Sequence, residues 1–146
     1  MTVIVYRDGV MAADTRAWSG DSVPVGWKKK IRRLEDGRLV GCSCPEVGVP
    51  NAFLDWIAAG APEDAKPKID DNEGLSGLVV DAQGQGWLYT ANMQCSGPIH
   101  APYFAIGSGE KYALGALAMG ATAEEAVQAA CDLDVFSDLP LHTERH

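Results

Sequence analysis

Short apolar runs punctuated by turn residues dominate the first half of the chain. Val3 to Tyr6 and Val10 to Ala13 are two such runs, separated by Arg7-Asp8-Gly9. Asp-Gly between them predicts a hairpin, because glycine accepts the positive φ that a tight turn demands. A polar loop is predicted around Ser19 to Gly26. The same grammar then returns in Lys29 to Leu34, the turn Glu35-Asp36-Gly37, and Arg38 to Cys42, a second predicted hairpin. In Ala52 to Ala59 the period changes: Phe53, Trp56 and Ile57 share one helical face, and Gly60 stands where a C-terminal cap belongs. Ala61 to Glu73 is polar and holds two prolines, which predicts a surface loop with no regular element.

Leu75 to Val80 and Trp87 to Thr90 flank a Gly-rich turn and predict a third hairpin, and Tyr103 to Ile106 predicts a further strand. Gly107-Ser108-Gly109 switches the pattern to a helix over 110–119, ended by Gly120. That helix is small and apolar nearly all round, so it should be covered on more than one side. Thr122 with Glu125 is a capping-box signature for a second helix, whose apolar stripe is Ala123, Ala126, Val127, Ala130 and Leu133. Val135 to Leu141 closes the pattern as an expected edge strand.

Composition narrows the class. A chain of 146 residues, 47% apolar and 22% charged, can bury one core but not two comfortable ones. One domain over residues 1–146 is expected. No basic region followed by an apolar run opens the chain, and no stretch reaches the length of a membrane span, so a cytoplasmic protein without membrane contact is expected. Cys42, Cys44, Cys95 and Cys131 lack zinc-site spacing and disulfide-scaffold density, and reduced thiols are expected. With His100, His142 and His146 the only histidines, no metal and no other cofactor is expected. A net charge of −8 argues against nucleic acid as a partner, although Lys28, Lys29, Lys30, Arg32 and Arg33 crowd one short segment.

Thr2 follows a methionine of the kind that is removed before a small residue. Removal would expose an N-terminal threonine, which carries nucleophile and base together: the hydroxyl attacks, and an α-amine of pKa about 7.7–8.0 takes its proton. Taken alone, Thr2 reads better as an ordinary β-branched strand residue. Its company changes the reading. The order hydroxyl residue, hairpin, "AADTR", "KKIRRL", "AIGSGEKYALGAL" and "LDVFSD" resembles the proteasome β subunits and the bacterial proteasome-like heat-shock peptidase, members of the N-terminal nucleophile hydrolases. The resemblance is strong over residues 2–42 and 103–138 and weak between.

That resemblance implies an α+β fold, a four-layer α/β/β/α sandwich of two antiparallel sheets, and a threonine-type peptidase that acts on peptide or protein. It implies Thr2 as nucleophile, Asp14 in "AAD" paired with Lys30 in "KKIRRL", Ser108 in "IGSG" beside the nucleophile's amine, and Asp134 with Ser137 in "DVFS" completing that amine's surroundings. Strand alternation alone does not choose among Lys28, Lys29 and Lys30; the match to the family picks Lys30 and leaves Lys28, Lys29, Arg32 and Arg33 as a solvated surface strand. Asp132 and Asp138 lie close to Asp134 in sequence. Where the family has a glycine-rich turn that supplies the oxyanion-binding N–H, this chain has Cys42-Ser43-Cys44-Pro45, so Cys44 is the expected backbone donor.

Two family helices between the fourth strand and the next hairpin reduce here to one short predicted helix. The family's ring contacts lie in that layer; the small, apolar helix over 110–119 still needs cover, some from the helix over 122–133 and some from a neighbouring subunit, so a homo-oligomer of unspecified order is expected. An ATP-dependent unfoldase is the family's implied further partner, but ring size and docking do not carry over. The rival reading is a noncatalytic proteasome-like assembly protein, which the Cys-Ser-Cys-Pro turn and a retained Met1 would favour.

Overall fold

The computed structural model describes residues 2–19, 23–70 and 74–146. Met1 and parts of the two predicted loops, at 20–22 and 71–73, lie outside the described residues. The opening hairpin forms as expected: β1 (Ile4–Arg7) pairs antiparallel with β2 (Val10–Ala13), and Asp8 and Gly9 turn the chain at φ 50° and 81°. β10 (Tyr103–Ile106) pairs with the other edge of β1, and β11 (His142–Arg145) with the other edge of β2, which makes a four-stranded sheet in the order β10-β1-β2-β11.

A second, five-stranded sheet is built in chain order from β5 (Ile31–Arg33), β6 (Leu39–Ser43), β7 (Ser76–Val80), β8 (Gln85–Tyr89) and β9 (Cys95–His100). β1, β6 and β7 are apolar on both faces, as strands covered on both sides must be. Ile4, Tyr6, Leu39, Leu78 and Val80 point between the two sheets, where they pack with Met11, Ile31, Phe104 and Ile106. The alternate residues Val3, Val5 and Ala12 pack under the helices α2 (Glu110–Ala118) and α3 (Ala123–Leu133). On the far side, Val40, Cys42 and Val79 pack under α1 (Val49–Ala58) through Phe53, Leu54, Trp56 and Ile57. The Phe53 ring lies so close over β7 that a Cβ on Gly77 would come within 2.4 Å of it. One core therefore sits between the sheets, with an apolar layer beneath helices on either side.

Several local expectations are corrected. The polar stretch Ser19 to Gly26 predicted as a loop joins and largely overlaps a two-stranded ribbon, β3 (Arg16–Ser19) with β4 (Val23–Trp27); β4 is exposed throughout, so burial never imprinted its period. β9 escaped the pattern because Gly97 and Pro98 interrupt it, which an edge strand tolerates. α1 begins at Val49 rather than Ala52, with Pro50 in its first turn, where a missing N–H costs nothing. The predicted polar loop holds one 3-10 turn at Glu63–Ala65.

Val135 to Leu141 is not a strand. It runs as irregular chain beside Asp14 to Trp18, its carbonyls bonded by the Thr15 hydroxyl at Pro140 and the Trp18 indole at Phe136. The last strand forms only beyond Pro140. Within this chain α2 buries Ala113 and Leu117, while Tyr112, Leu114 and Met119 stay exposed, so the expected cover on more than one side is not supplied by the described residues.

Candidate active site

The expected site residues occupy the ends of elements rather than their interiors. Thr2 precedes β1, Asp14 follows β2, Lys30 precedes β5 and Ser108 follows β10, while Asp134 and Ser137 follow α3. Because β1, β2 and β10 are neighbours in one sheet, their ends meet at one edge. The end of α3 is brought to the same edge.

Asp14 and Lys30 form the most buried polar pair in this region. The Lys30 Nζ lies 3.0 Å from each carboxylate oxygen of Asp14, and their side chains are 3% and 0% exposed. A buried carboxylate is tolerable only when its lone pairs are satisfied. Backbone N–H groups complete the set: Val3 donates to Oδ1, and Asp138 and Arg16 donate to Oδ2. Burial lowers the Lys30 pKa from its ordinary value, and the Asp14 charge and hydrogen bond act against that shift. The ammonium of Lys28 pushes Lys30 further down.

A second network surrounds the backbone of Thr2. Its N–H donates to the Ser108 hydroxyl at 3.0 Å, and the hydroxyl lies 2.8 Å from Oδ2 of Asp134. With one proton to give, Ser108 donates best to that charged acceptor, since its alternative, the Thr2 carbonyl, is 3.3 Å away. Ser137 also donates to Asp134 Oδ2, at 2.7 Å, and the Phe136 N–H to Oδ1. The Thr2 carbonyl accepts from the Gly109 N–H. Gly107 makes the approach possible. Its φ is 100°, and a Cβ there would stand 2.1 Å from the Thr2 carbonyl oxygen. Gly107-Ser108-Gly109 thus does more than turn a strand into a helix.

Thr2 opens onto a cleft of about 570 Å³, including its mouth. Lys28, Lys29, Lys30, Arg16, Trp18, Cys42 and Cys44 line it on the strand side, and Pro45, Glu46, Val47, Pro50 and Asn51 on the side leading into α1. The other five expected catalytic side chains therefore fall into two hydrogen-bonded groups that meet at Thr2: Ser108, Asp134 and Ser137 at its backbone nitrogen, and Asp14 with Lys30 through the N–H of Val3, the next residue. Asp134, not Asp132 or Asp138, is the carboxylate bonded to Ser108 and Ser137. Asp138 instead pairs with Arg16 and gives its N–H to Asp14.

The basic run divides. Lys30 is buried, Lys28 and Lys29 line the cleft, and Arg32 pairs with Asp55 of α1 at 2.8 Å. Lys28 and Lys29 are exposed, as expected of a solvated segment, but they precede β5 rather than lie in a strand, and they line the cleft. Sequence reasoning also missed Arg16, Trp18 and Glu46 as lining residues. Only the family motif "DTR" and adjacency to Cys44-Pro45 could have marked them.

Cys42, Cys95 and Cys131 carry free thiols. Burial pushes the Cys42 thiol far above its ordinary value and Cys131 up to about 12, which disfavours the thiolate at both. Among the described residues no group of three or more His, Cys, Asp or Glu side chains could hold a metal ion, and no helix is long and apolar enough to cross a membrane.

No protein-family profile matches this sequence, and no curated protein matches it significantly. Solved structures do: the chain is similar to the crystal structure of eukaryotic HslV from Trypanosoma brucei, with 20% identity over 99% of this chain and 99% of that one, at a TM-score of 0.71. The fold is that of HslV, the proteasome-like architecture to which the residues at both ends of the sequence pointed.

Proposed function

We propose that this chain is an N-terminal threonine hydrolase of amide bonds, a peptidase, built as a four-layer α/β/β/α sandwich and activated by removal of Met1. One observation carries the reading. The Thr2 nitrogen is hydrogen-bonded to Ser108 and through it to Asp134, while Lys30, held by the buried Asp14, lines the same cleft as Thr2. Once Met1 is removed, that nitrogen is a free amine held by an acceptor whose proton is already committed to a carboxylate. The arrangement steadies the amine in either protonation state.

The Thr2 hydroxyl attacks the scissile carbonyl carbon, and its proton passes through its own amine and Lys30 to the leaving nitrogen as the C–N bond breaks. The Cys44 N–H, directly after β6 on the cleft wall, is the donor to the oxyanion. Water then hydrolyses the ester and restores the hydroxyl. The methyl group of threonine restricts χ1 and so pre-orients the attacking oxygen. The exposed Tyr112 and Leu114 on α2 and Met119 at its C-terminal cap support a homo-oligomer in which further copies cover that helix.

Intact mass of the protein from its native host, with and without a threonine-directed β-lactone, tests this directly. Loss of the methionine together with an adduct that vanishes in Thr2→Ala is the expected result. A stable Met1 and no adduct would overturn the hydrolase reading and favour the noncatalytic assembly protein.

A further inference from the structure

Resting on the reading of the cleft as a peptide-cleaving site, we propose that Glu46 sets its preference and that the substrate presents it with a basic side chain, lysine or arginine. Glu46 lines the cleft that Thr2 opens onto. Its Oε2 is buried, and no donor among the described residues reaches it. A buried acceptor without a donor is a standing cost of the free protein, and an incoming N–H relieves it.

The other charges of the cleft are accounted for. Arg16 is held by Asp138 and Lys30 by Asp14. Lys28 and Lys29 are exposed, so water already serves their ammonium groups. An acidic substrate would gain only a screened, solvent-exposed pair from them. A basic side chain that reaches Glu46 gains a charge-assisted hydrogen bond to an atom that lacks one. The walls suit the rest of such a side chain: Trp18, Val47 and Pro50 offer apolar surface for a methylene stem whose charged tip lies at Glu46.

Binding to the Thr2→Ala protein, which cannot cleave, tests the proposal apart from catalysis. The probes are capped Ala-Leu-Ala-X-Ala amides with arginine, norleucine or glutamate at X, titrated by calorimetry. The arginine peptide should bind about tenfold more tightly than the norleucine peptide, the gain of one charge-assisted bond. Glu46→Gln should bring that ratio to about one, and Glu46→Lys should shift the advantage to the glutamate peptide. Equal dissociation constants, a preference for glutamate, no binding of any peptide, or an arginine advantage that survives Glu46→Gln would each overturn it. The β-lactone adduct reports on Thr2 alone, so failure of one reading is distinguishable from failure of the other.

Discussion

The ammonium of Lys30 lies equidistant, at 3.0 Å, from the two carboxylate oxygens of Asp14, in a pair almost wholly shielded from water. Five donor contacts converge on that one carboxylate, two from Lys30 and three from the backbone of Val3, Arg16 and Asp138. The Asp14 side chain therefore ties the N-terminal strand, the start of the β3–β4 ribbon, the entry to β5 and the chain after α3 to one point. The same pair that would serve the chemistry also holds the edge of the fold together.

Removing one partner of such a pair leaves the other buried and uncompensated. Lys30→Ala should destabilise the protein by about 3–5 kcal/mol. The double variant Lys30→Ala with Asp14→Ala should lose less than the two single losses combined. Urea unfolding of all four proteins measures the difference; additive losses would show that the two side chains are not coupled.

Lys30 should titrate below the ordinary lysine value of 10.5, because burial outweighs its attraction to Asp14. The folded state then binds its proton less tightly than the unfolded chain does. Unfolding takes up a proton between the two pKa values, so this group's contribution to stability grows as pH rises through the folded pKa toward 10.5. A 13C titration of the Lys30 side chain checks the direction, and a midpoint above 10.5 would contradict it. Asp14→Asn removes an influence that raises the pKa and should move the midpoint further down.

Ser108 accepts from Thr2 and donates to Asp134, so Ser108→Ala breaks the connection between amine and carboxylate. Turnover of a peptide substrate should fall about 100-fold, the lower end of what a positioned proton-handling group contributes. Stability should change by only about 1–2 kcal/mol. A loss of turnover matched by wholesale unfolding would assign Ser108 a structural role alone.

Gly107 has two reasons to be glycine, its φ of 100° and the Thr2 carbonyl 2.1 Å from where a Cβ would lie. Gly107→Ala should cost about 2–5 kcal/mol from backbone strain and overpacking together. It should also abolish adduct formation at Thr2 by displacing that residue. Denaturant unfolding and mass spectrometry on the same sample read both effects.

The elements that were legible in advance share one property: their pattern is imposed by burial. Val3 to Tyr6 is apolar on both faces because sheet lies on one side and helices on the other, and Phe53, Trp56 and Ile57 recur at helical spacing because α1 buries one face. The β3–β4 ribbon lies largely outside the core and was missed. The segment Val135 to Leu141 looked like a strand because it is apolar in part. Its polar groups are instead taken by Thr15, Arg16 and Trp18, distant in sequence, so no local pattern could reveal it.

The site divides along the same line. By itself the sequence determined which residue types are present and in what order: a hydroxyl at position 2, a carboxylate ending the first hairpin, a lysine entering the next, and Gly-Ser-Gly before a helix. Local propensity and turn chemistry suffice for those, since each depends on a few neighbouring residues. Only the tertiary structure decided that Asp134 rather than Asp132 or Asp138 faces Ser108, that Lys28 and Lys29 line the cleft, and that Glu46 holds a buried oxygen without a donor among the described residues. Those outcomes depend on which strand and helix ends meet at one edge, and long-range packing sets that meeting.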